Sequence, residues 1–259
     1  NYPTQNARIG NAVGLDTPQS LVLLLHKLKE EGYKVDNIPA SGDELIHLLI
    51  NQSSYDKEFL TDEQIQGTPA GADAGAYQSW FSEFPDKPQK ELLRDWGNPP
   101  GNVYVHKNRL FFPGLFLGNI FIGIQPPRGF GENPIAIYHS ADMTPTHHYL
   151  AFYRWIKDDM KADAVVHMGK HGNLEWLPGK SVALTENCYP DIAISEMPFF
   201  YYFIINNPGE GSQAKRRARA ILIDHMVPPM TRADLYDDLA RIEQLIEEWT
   251  HISNVDPDK

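Results

Sequence analysis

The sequence predicts an α/β fold of parallel-sheet βαβ units with flanking helices and a small β-hairpin. Three observations predict it. Short apolar runs rich in Val, Ile and Phe alternate with segments whose apolar residues recur at helical spacing. Clusters of Gly and Pro separate these segments and mark the turns. Hydrophobic residues make up 42% of the 259-residue chain and charged residues 22%, which is typical of a globular protein with a sizeable core.

The first fifty residues predict a helix, a strand and a second helix. Thr17-Pro18 is a helix-start signal, and apolar residues recur at helical spacing over 21–31. The segment 33–38 is a short strand candidate. A helix over 41–52 begins with a serine that is followed three residues later by Glu44, as in a capping box.

The next fifty residues are more polar and contain the clearest boundary. A Gly- and Ala-rich stretch at 71–75 is predicted to be a flexible insert, and a helix is predicted near 87–96. The run Trp-Gly-Asn-Pro-Pro-Gly at 96–101 interrupts the chain. We therefore expect two parts, an α/β lobe with a polar insert at 1–97 and an α/β domain at 98–259.

The second part begins with a hairpin and continues with a crossover unit. Two short strands at 103–106 and 109–112 predict the hairpin. A buried strand at 119–125, an aromatic-rich helix at 147–160 and a strand at 162–167 then predict a βαβ unit, and therefore a parallel sheet with a right-handed crossover.

The last elements are a strand at 199–205 and helices at 213–225 and 233–249. The first of these helices carries the basic run 215–219, which reads Lys-Arg-Arg-Ala-Arg. We interpret this run as a solvated helix face and not as an anion site.

Charge and cysteine content exclude several classes of protein. The net charge is −11, with 34 acidic against 23 basic residues, which argues against a nucleic-acid partner because such binding needs a basic face. Cys188 is the single cysteine, so an intrachain disulfide or a thiolate zinc site is excluded, which suits the cytoplasm. The longest apolar run is too short to cross a bilayer, so we expect no membrane partner.

The most informative stretch follows the strand at 162–167. There His167, His171 and Glu175 lie four residues apart, in a segment whose Gly and Pro residues indicate a loop. Polar loops at the carboxyl ends of parallel strands are where α/β sheets place ligands. Imidazole and carboxylate groups bind borderline divalent metal ions and accept protons near neutral pH. We predict these three residues as catalytic, with the two histidines also as metal ligands.

A second polar cluster precedes the helix at 147–160. Its His139 and His147 are secondary candidates for metal ligands, because the cluster follows the neighbouring strand of the predicted unit. The alternative is that Asp142 or Thr144 caps the helix and that its histidines lie on the first turn.

Four residues are candidates for binding a substrate. Arg128 follows a predicted strand and could hold a carboxylate. Trp176 could stack on a flat ligand. Tyr138 and Lys180 lie in the two polar loops that carry the histidines.

The segment 172–181 ends like a phosphate-binding loop but differs from one. Six residues separate its glycines where that loop has four, and they include a proline, which has no N–H to offer a phosphate. We therefore disfavour nucleotide binding and expect any ATP to be hydrolysed on another subunit.

In these residues and the motifs around them, the sequence resembles the large subunits of the cobaltochelatase (CobN) and magnesium-chelatase H-subunit family. The resemblance runs nearly from end to end, and its motifs are specific because they are long. The matching blocks are 7–18, 118–129, 162–180 (which contains His-Met-Gly-Lys-His-Gly-Asn-Leu-Glu-Trp-Leu-Pro-Gly-Lys), 188–190, 207–211, 213–217 and 228–229.

Five loop positions distinguish the two branches of that family. The magnesium branch typically carries Phe, Thr, Ser, Phe and Met there. The corresponding residues of this sequence, which is similar to the cobalt branch, are Met168, Lys170, Asn173, Trp176 and Leu177.

The resemblance implies an internal segment of the catalytic, tetrapyrrole-binding subunit of an ATP-dependent cobaltochelatase. Such a ligase forms nitrogen–metal bonds, inserting Co²⁺ into hydrogenobyrinic acid a,c-diamide on the route to cobalamin. ATP would be used by two partner subunits, one of them an AAA+ ATPase. Two alternatives stay open: the large subunit of a magnesium chelatase, which places Mg²⁺ in protoporphyrin IX, and a non-catalytic scaffold that binds a tetrapyrrole or a metal.

Overall fold

The computed structural model of the protein describes residues 11–12, 15–55, 60–129, 142–169, 172–202, 208–224, 241–246 and 248–249. These residues form helices and four small sheets, one parallel and three antiparallel, which confirms the predicted α/β class. The chain divides into two compact units, Asn1–His225 and Met226–Lys259. In the second unit, residues 241–246 and 248–249 are helical, which agrees with the predicted last helix over the part described.

The elements of the first unit follow one another along the described chain. Its α-helices are α1 (Thr17–Glu30), α2 (Gly42–Gln52), α3 (Asp62–Gly67), α4 (Ala74–Ser82), α5 (Asp86–Trp96), α6 (His147–Asp158), α7 (Tyr189–Ile194) and α8 (Pro208–Arg217). Its strands are β1 (Asn11–Ala12), β2 (Leu15–Asp16), β3 (Ala70–Asp73), β4 (Val105–His106), β5 (Arg109–Phe112), β6 (Gly114–Leu117), β7 (Ile120–Gly123), β8 (Val165–Met168), β9 (Phe199–Tyr202) and β10 (Ile221–Ile223). None of the helices described combines the length and the apolarity that crossing a bilayer requires.

The first two predicted helices are confirmed as α1 and α2. The Asp16 carboxylate accepts a hydrogen bond from the Gln19 amide at 3.2 Å, and the Ser41 hydroxyl accepts one from the Glu44 amide at 3.2 Å, so each helix has a side-chain cap. Both helices pack in one apolar cluster with the antiparallel hairpin β6–β7. The buried side chains of this cluster are Val22, Leu25, Val35, Leu45, Leu49, Leu117 and Ile122.

The strand predicted at 33–38 is absent from the described structure. Val35 is buried in the first cluster, and the Asn119 amide donates a hydrogen bond to the Lys34 carbonyl at 2.9 Å. Burial of apolar side chains therefore holds this segment in place, and no strand lies beside it in the described structure with which it forms sheet hydrogen bonds. The prediction was wrong because a short apolar run does not specify a pairing partner.

A second sheet has the antiparallel order β3-β5-β4. The predicted hairpin is confirmed as β4–β5, and its turn residues Lys107 and Asn108 have φ values of 46° and 66°, as a two-residue hairpin turn requires. The stretch 71–75 is not a flexible insert, since it forms most of β3 and the start of α4. Small residues suit this position because the backbone of Gly71 lies tight against the Leu110 carbonyl and the Arg109 side chain.

The parallel sheet has the order β10-β9-β8 and does not contain β7. The predicted βαβ unit over 119–167 is therefore wrong in its first strand, because β7 pairs antiparallel with β6. The helix predicted at 213–225 ends at Arg217, and β10 follows it after Arg219 adopts a left-handed backbone with φ 53°. The observed crossovers are β8-α7-β9 and β9-α8-β10.

The largest core cluster covers one face of the parallel sheet, which we call the inner face. Buried residues of α6, α7 and α8 pack there against Phe199 and Tyr201 of β9. Most of α6 is buried, including Tyr149, Leu150 and Tyr153. The proposed division between 1–97 and 98–259 stays a prediction, and β3 and β5 pair across it.

Candidate functional site

The site lies where the chain leaves β8, at the carboxyl end of the parallel sheet. His167 of β8 stands beside Tyr201 of β9, its register partner, with ring centroids 4.3 Å apart. Gly169, with φ +145°, turns the chain away from the strand, and a one-turn 3-10 helix at Leu174–Trp176 follows. This is the edge at which α/β sheets bind ligands.

His167 and Glu175 converge on one point beside Gly172. A Cβ placed on Gly172 would lie 3.1 Å from Glu175 Oε2 and 3.3 Å from His167 Nε2. The absence of a side chain at residue 172 thus leaves a small gap that both polar atoms border. Two of the three predicted catalytic side chains are brought together there, while His171 lies outside the described residues.

Burial raises the pKa of Glu175 to about 7, and the nearby carboxylate of Glu210 adds to the rise. The side chain of Glu175 is 1% exposed, whereas Glu210, on the first turns of α8, is half-buried. A carboxyl group with such a pKa exchanges its proton near neutral pH, which is what a general base needs. The sequence did not single out Glu210, because it lies 35 residues from Glu175 and only the path of α8 brings the two together.

Desolvation lowers the pKa of the half-buried His167 to about 4. Its imidazole is therefore neutral at physiological pH and has a lone pair available for a metal ion. Across the described residues, no group of three or more His, Cys, Asp or Glu side chains is arranged to hold a metal ion.

Hydrogen bonds fix the loop that carries Glu175. The Tyr201 hydroxyl accepts a hydrogen bond from the Gly172 amide at 2.8 Å, and the Tyr149 hydroxyl donates one to Asn173 Oδ1 at 2.6 Å. The Asn173 amide donates to Gln125 Oε1 at 3.2 Å, and Gln125 in turn donates to the Tyr153 hydroxyl at 3.0 Å. This network ties the loop to β9, to α6 and to the chain after β7, so the position of Glu175 is set on several sides.

The Arg217 side chain, at the end of α8, holds the same loop by binding backbone carbonyls of the loop. Its guanidinium donates to the carbonyls of Glu175 at 2.8 Å, Leu177 at 2.7 Å and Lys180 at 2.9 Å. The basic run was predicted to be a solvated face, and this is wrong for Arg217, which is 7% exposed, although its neighbour Arg216 is exposed. The side chains that hold Glu175 and that the sequence did not identify are Gln125, Tyr149, Tyr153, Tyr201 and Arg217.

Arg128 is also inside the protein. It was predicted to meet a substrate carboxylate, but it is 1% exposed and donates to the Trp176 carbonyl at 3.0 Å and to the Met143 carbonyl at 3.2 Å. These contacts give Arg128 a positioning role in the loop, in place of direct contact with a substrate. A guanidinium with several donors suits either role, so the sequence could not distinguish them.

His147 likewise has a structural role where a metal ligand was expected. Its Nε2 donates to the Gly97 carbonyl at 2.9 Å, and its Nδ1 accepts from the Tyr77 hydroxyl at 2.9 Å, so both ring nitrogens are used. The alternative is confirmed in placing the histidines on the first turn of the helix, but its capping residue is wrong, because Thr146 caps the helix and neither Asp142 nor Thr144 does. His139 lies outside the described residues.

Two of the predicted substrate-binding residues lie on the surface of the loop. Trp176 is 39% exposed and Lys180 is exposed, so their side chains are free to meet a ligand while their carbonyls hold the two arginines. Tyr138 lies outside the described residues. Because Arg217 binds carbonyls along 175–180, this segment does not wrap its amides around a central anion as a phosphate-binding loop does.

Comparisons with known proteins agree with one another. A model of the CobN/Magnesium Chelatase family matches residues 1–259. The aerobic cobaltochelatase subunit CobN of Pseudomonas aeruginosa is 46% identical over 257 residues, which cover 99% of this chain and 20% of that protein. The magnesium-chelatase H subunit of Chlorobaculum parvum is 36% identical over 251 residues, covering 96% of this chain and 19% of that protein.

A solved structure extends the similarity to the fold. The catalytic subunit of cobaltochelatase from Mycobacterium tuberculosis superposes with a TM-score of 0.74 at 45% identity, covering 95% of this chain and 21% of that one. The chain thus spans about one-fifth of the length of the relatives it matches. It belongs to the CobN/magnesium chelatase family.

Proposed function

We propose that this chain is the part of a cobaltochelatase catalytic subunit that receives Co²⁺ and removes protons from the ring. The observation that carries the proposal is the convergence of His167 and Glu175 on the gap at Gly172. One group is a neutral imidazole and the other a carboxyl group whose pKa burial raises to about 7. The full activity would belong to a longer protein, with ATP hydrolysed on two partner subunits, one of them an AAA+ ATPase.

Metal insertion needs three things that these residues can supply. The divalent ion must lose water, and the His167 imidazole, with His171 as a second ligand, replaces part of its hydration shell. The ring must lose each N–H proton that the metal replaces, which is one proton for a corrin and two for a porphyrin, and the Glu175 carboxylate accepts such a proton. The ring must face the ion, and exposed Trp176 and Lys180 offer it a stacking surface and a cation for its acidic groups.

Burial keeps Glu175 from being a permanent anion, and the negative charge of Glu210 raises its pKa further. Glu175 can therefore take a proton from a ring N–H and release it near neutral pH. An arriving divalent cation would favour the ionised form of Glu175 and couple metal binding to proton acceptance.

Cobalt is proposed as the metal and hydrogenobyrinic acid a,c-diamide as the ring. Support comes from the greater identity to the cobaltochelatase subunit, 46% against 36% for the magnesium-chelatase subunit, and from the five loop residues typical of the cobalt branch. Insertion of Mg²⁺ into protoporphyrin IX is the second candidate, because the magnesium branch shares the two histidines and the glutamate of the loop.

The test is a titration of the longer protein, reconstituted with its partner subunits, with each ring followed by absorbance. We expect the corrin-type diamide to bind and to change its spectrum when Co²⁺ and ATP are added, with no change for Mg²⁺. Insertion of Mg²⁺ into protoporphyrin IX would favour the second candidate. Binding of either ring without insertion of any metal would leave the scaffold alternative and contradict the proposal.

Filling the gap at Gly172 should separate the two functional groups. In the Gly172→Ala variant, the new methyl group would lie within 3.3 Å of both Glu175 Oε2 and the His167 ring, so one of them must move. We expect insertion by the longer protein to slow by about tenfold or more, because small misplacements of reacting groups are costly. Gly67→Ala is the control, since nothing lies within 4 Å of its new methyl group. Equal rates for both variants would contradict a role for the gap.

A further inference from the structure

The two faces of the parallel sheet differ in what covers them. On the inner face, Phe199 and Tyr201 are buried under α6, α7 and α8, with Val165 and Leu222 packed beside them. The opposite face, which we call the outer face, is formed by the alternate residues of the same strands. Both crossover helices, α7 and α8, belong to the inner core, so within the described part of the first unit the outer face has no helical layer.

The outer face consists of two rows of apolar and aromatic side chains. Strand register aligns three residues in each row, and strand geometry places them on the same side. The rows are Val166, Phe200 and Ile221, and then Met168, Tyr202 and Ile223. Exposed fractions are 43% for Val166, 53% for Ile221 and 39% for Ile223, and the other three side chains are half-buried. None of the six residues is Asp, Glu, Lys, Arg or His.

Parallel sheets are covered on both faces in folded proteins, because their crossover connections place helices on each side. Single exposed apolar residues are ordinary on protein surfaces, whereas these six lie side by side in two rows across three strands. An amphipathic helix is the element that fits such a surface.

We propose that the outer face is covered by an amphipathic helix from the part of the longer polypeptide that lies outside this chain. The relatives are about five times longer than the matched segment, so most of the polypeptide that is available to cover the face lies outside these residues. This proposal rests on the family to which the chain belongs, and it does not depend on which metal or ring the protein binds.

The size of the face argues for a covalently connected occupant. Three strands of three or four residues present about 150–200 Å² at ordinary strand spacing and rise. A stable interface between separate chains takes about 800 Å² from each partner. A segment of the same polypeptide avoids most of the entropic cost of association, so a small apolar patch is sufficient to hold it.

Thiol labelling at Ile221 tests the proposal. The Ile221→Cys variant would be made both in the 259-residue chain and in the longer protein purified without partner subunits, and Leu23→Cys, at a 59% exposed site on α1, is the control. Maleimide labelling at each site would be followed by peptide mass spectrometry and normalised to the rate in urea. We expect labelling at position 221 to be at least about tenfold slower in the longer protein than in the short chain. Labelling at position 23 should be fast in the short chain.

Each other result overturns the proposal. Equal labelling of position 221 in both proteins would show that the longer polypeptide does not cover the face. Slow labelling of the short chain that speeds up on dilution would identify a second copy as the occupant. Slow labelling that does not depend on concentration would place the cover within the 259 residues. If position 221 of the longer protein became protected from labelling only after partner subunits were added, the face would be covered by another protein.

Discussion

Replacing Glu175 with Gln is expected to reduce Co²⁺ insertion by the longer protein by at least about 100-fold. Glutamine has nearly the same shape but cannot accept a proton, and loss of a general base slows a reaction by about this factor. The wild-type rate should fall as pH drops below about 7, because burial raises the pKa of Glu175 to about 7 and the protonated acid is inactive as a base. Insertion rates across pH 6–9 in the reconstituted system provide the measurement.

The same substitution should make the protein more stable at alkaline pH. The folded-state pKa of Glu175, about 7, lies above its usual 4.5, so ionisation opposes folding and the penalty grows as pH rises from 4.5 to 7. Above that range the penalty is about 3 kcal/mol, and Glu175→Gln should remove most of it. Urea unfolding of the 259-residue chain should show the gain at pH 8 and its disappearance near pH 4.

Glu186→Gln is the matched control, since Glu186 is an exposed glutamate of the following segment. It should change neither the insertion rate nor the stability at either pH. If Glu175→Gln inserted Co²⁺ at the wild-type rate, the proton-accepting role would be excluded, and an unchanged stability at pH 8 would show that this carboxyl group is not desolvated.

Replacing Arg217 with Met is expected to lower the free energy of unfolding by about 3 kcal/mol. The variant loses three charge-assisted hydrogen bonds and leaves the carbonyls of Glu175, Leu177 and Lys180 without their donor. Methionine fills much of the same volume, so the loss reports mainly on the hydrogen bonds. Urea unfolding of the 259-residue chain at pH 8 measures it.

Arg216→Met is the control, because Arg216 precedes Arg217 on α8 and is exposed. Its effect should stay within about 0.5 kcal/mol. Arg217→Lys should fall between the two, since an ammonium group reaches fewer of the three carbonyls. A loss for Arg217→Met no larger than that of the control would mean that α8 does not hold the loop.

Local signals in the sequence predicted several helices and one hairpin correctly. Helix-start signals and helical periodicity predicted α1 and α2, an aromatic-rich segment predicted α6, and two adjacent short runs predicted the β4–β5 hairpin. Pairing between strands was predicted less well. The run that forms β7 looks like a parallel strand because it is apolar and buried, but it joins β6, its neighbour in the chain. An apolar run indicates that a strand is buried, but it does not identify the strand with which it pairs.

At the site, the sequence singled out His167 and Glu175, which the structure brings together beside Gly172, and missed the groups that hold the loop. His167 lies near the end of β8 and Glu175 in the loop that follows it, so their short spacing in the sequence made both visible. Glu210 and Arg217 come from α8, more than thirty residues later, and only tertiary packing shows their relation to Glu175. Arg128 and His147 were expected to bind ligands, but buried hydrogen bonds account for both, and residue type cannot separate these uses.

The pKa of Glu175 is the quantity on which this account depends most directly. It can be measured by ¹³C NMR in the 259-residue chain with carboxyl-labelled glutamate, using Glu175→Gln to assign the signal. We predict a titration midpoint of about 7. A midpoint near the ordinary 4.5 would show that Glu175 is a solvated anion at neutral pH, and it would contradict its proposed role as the buried proton acceptor.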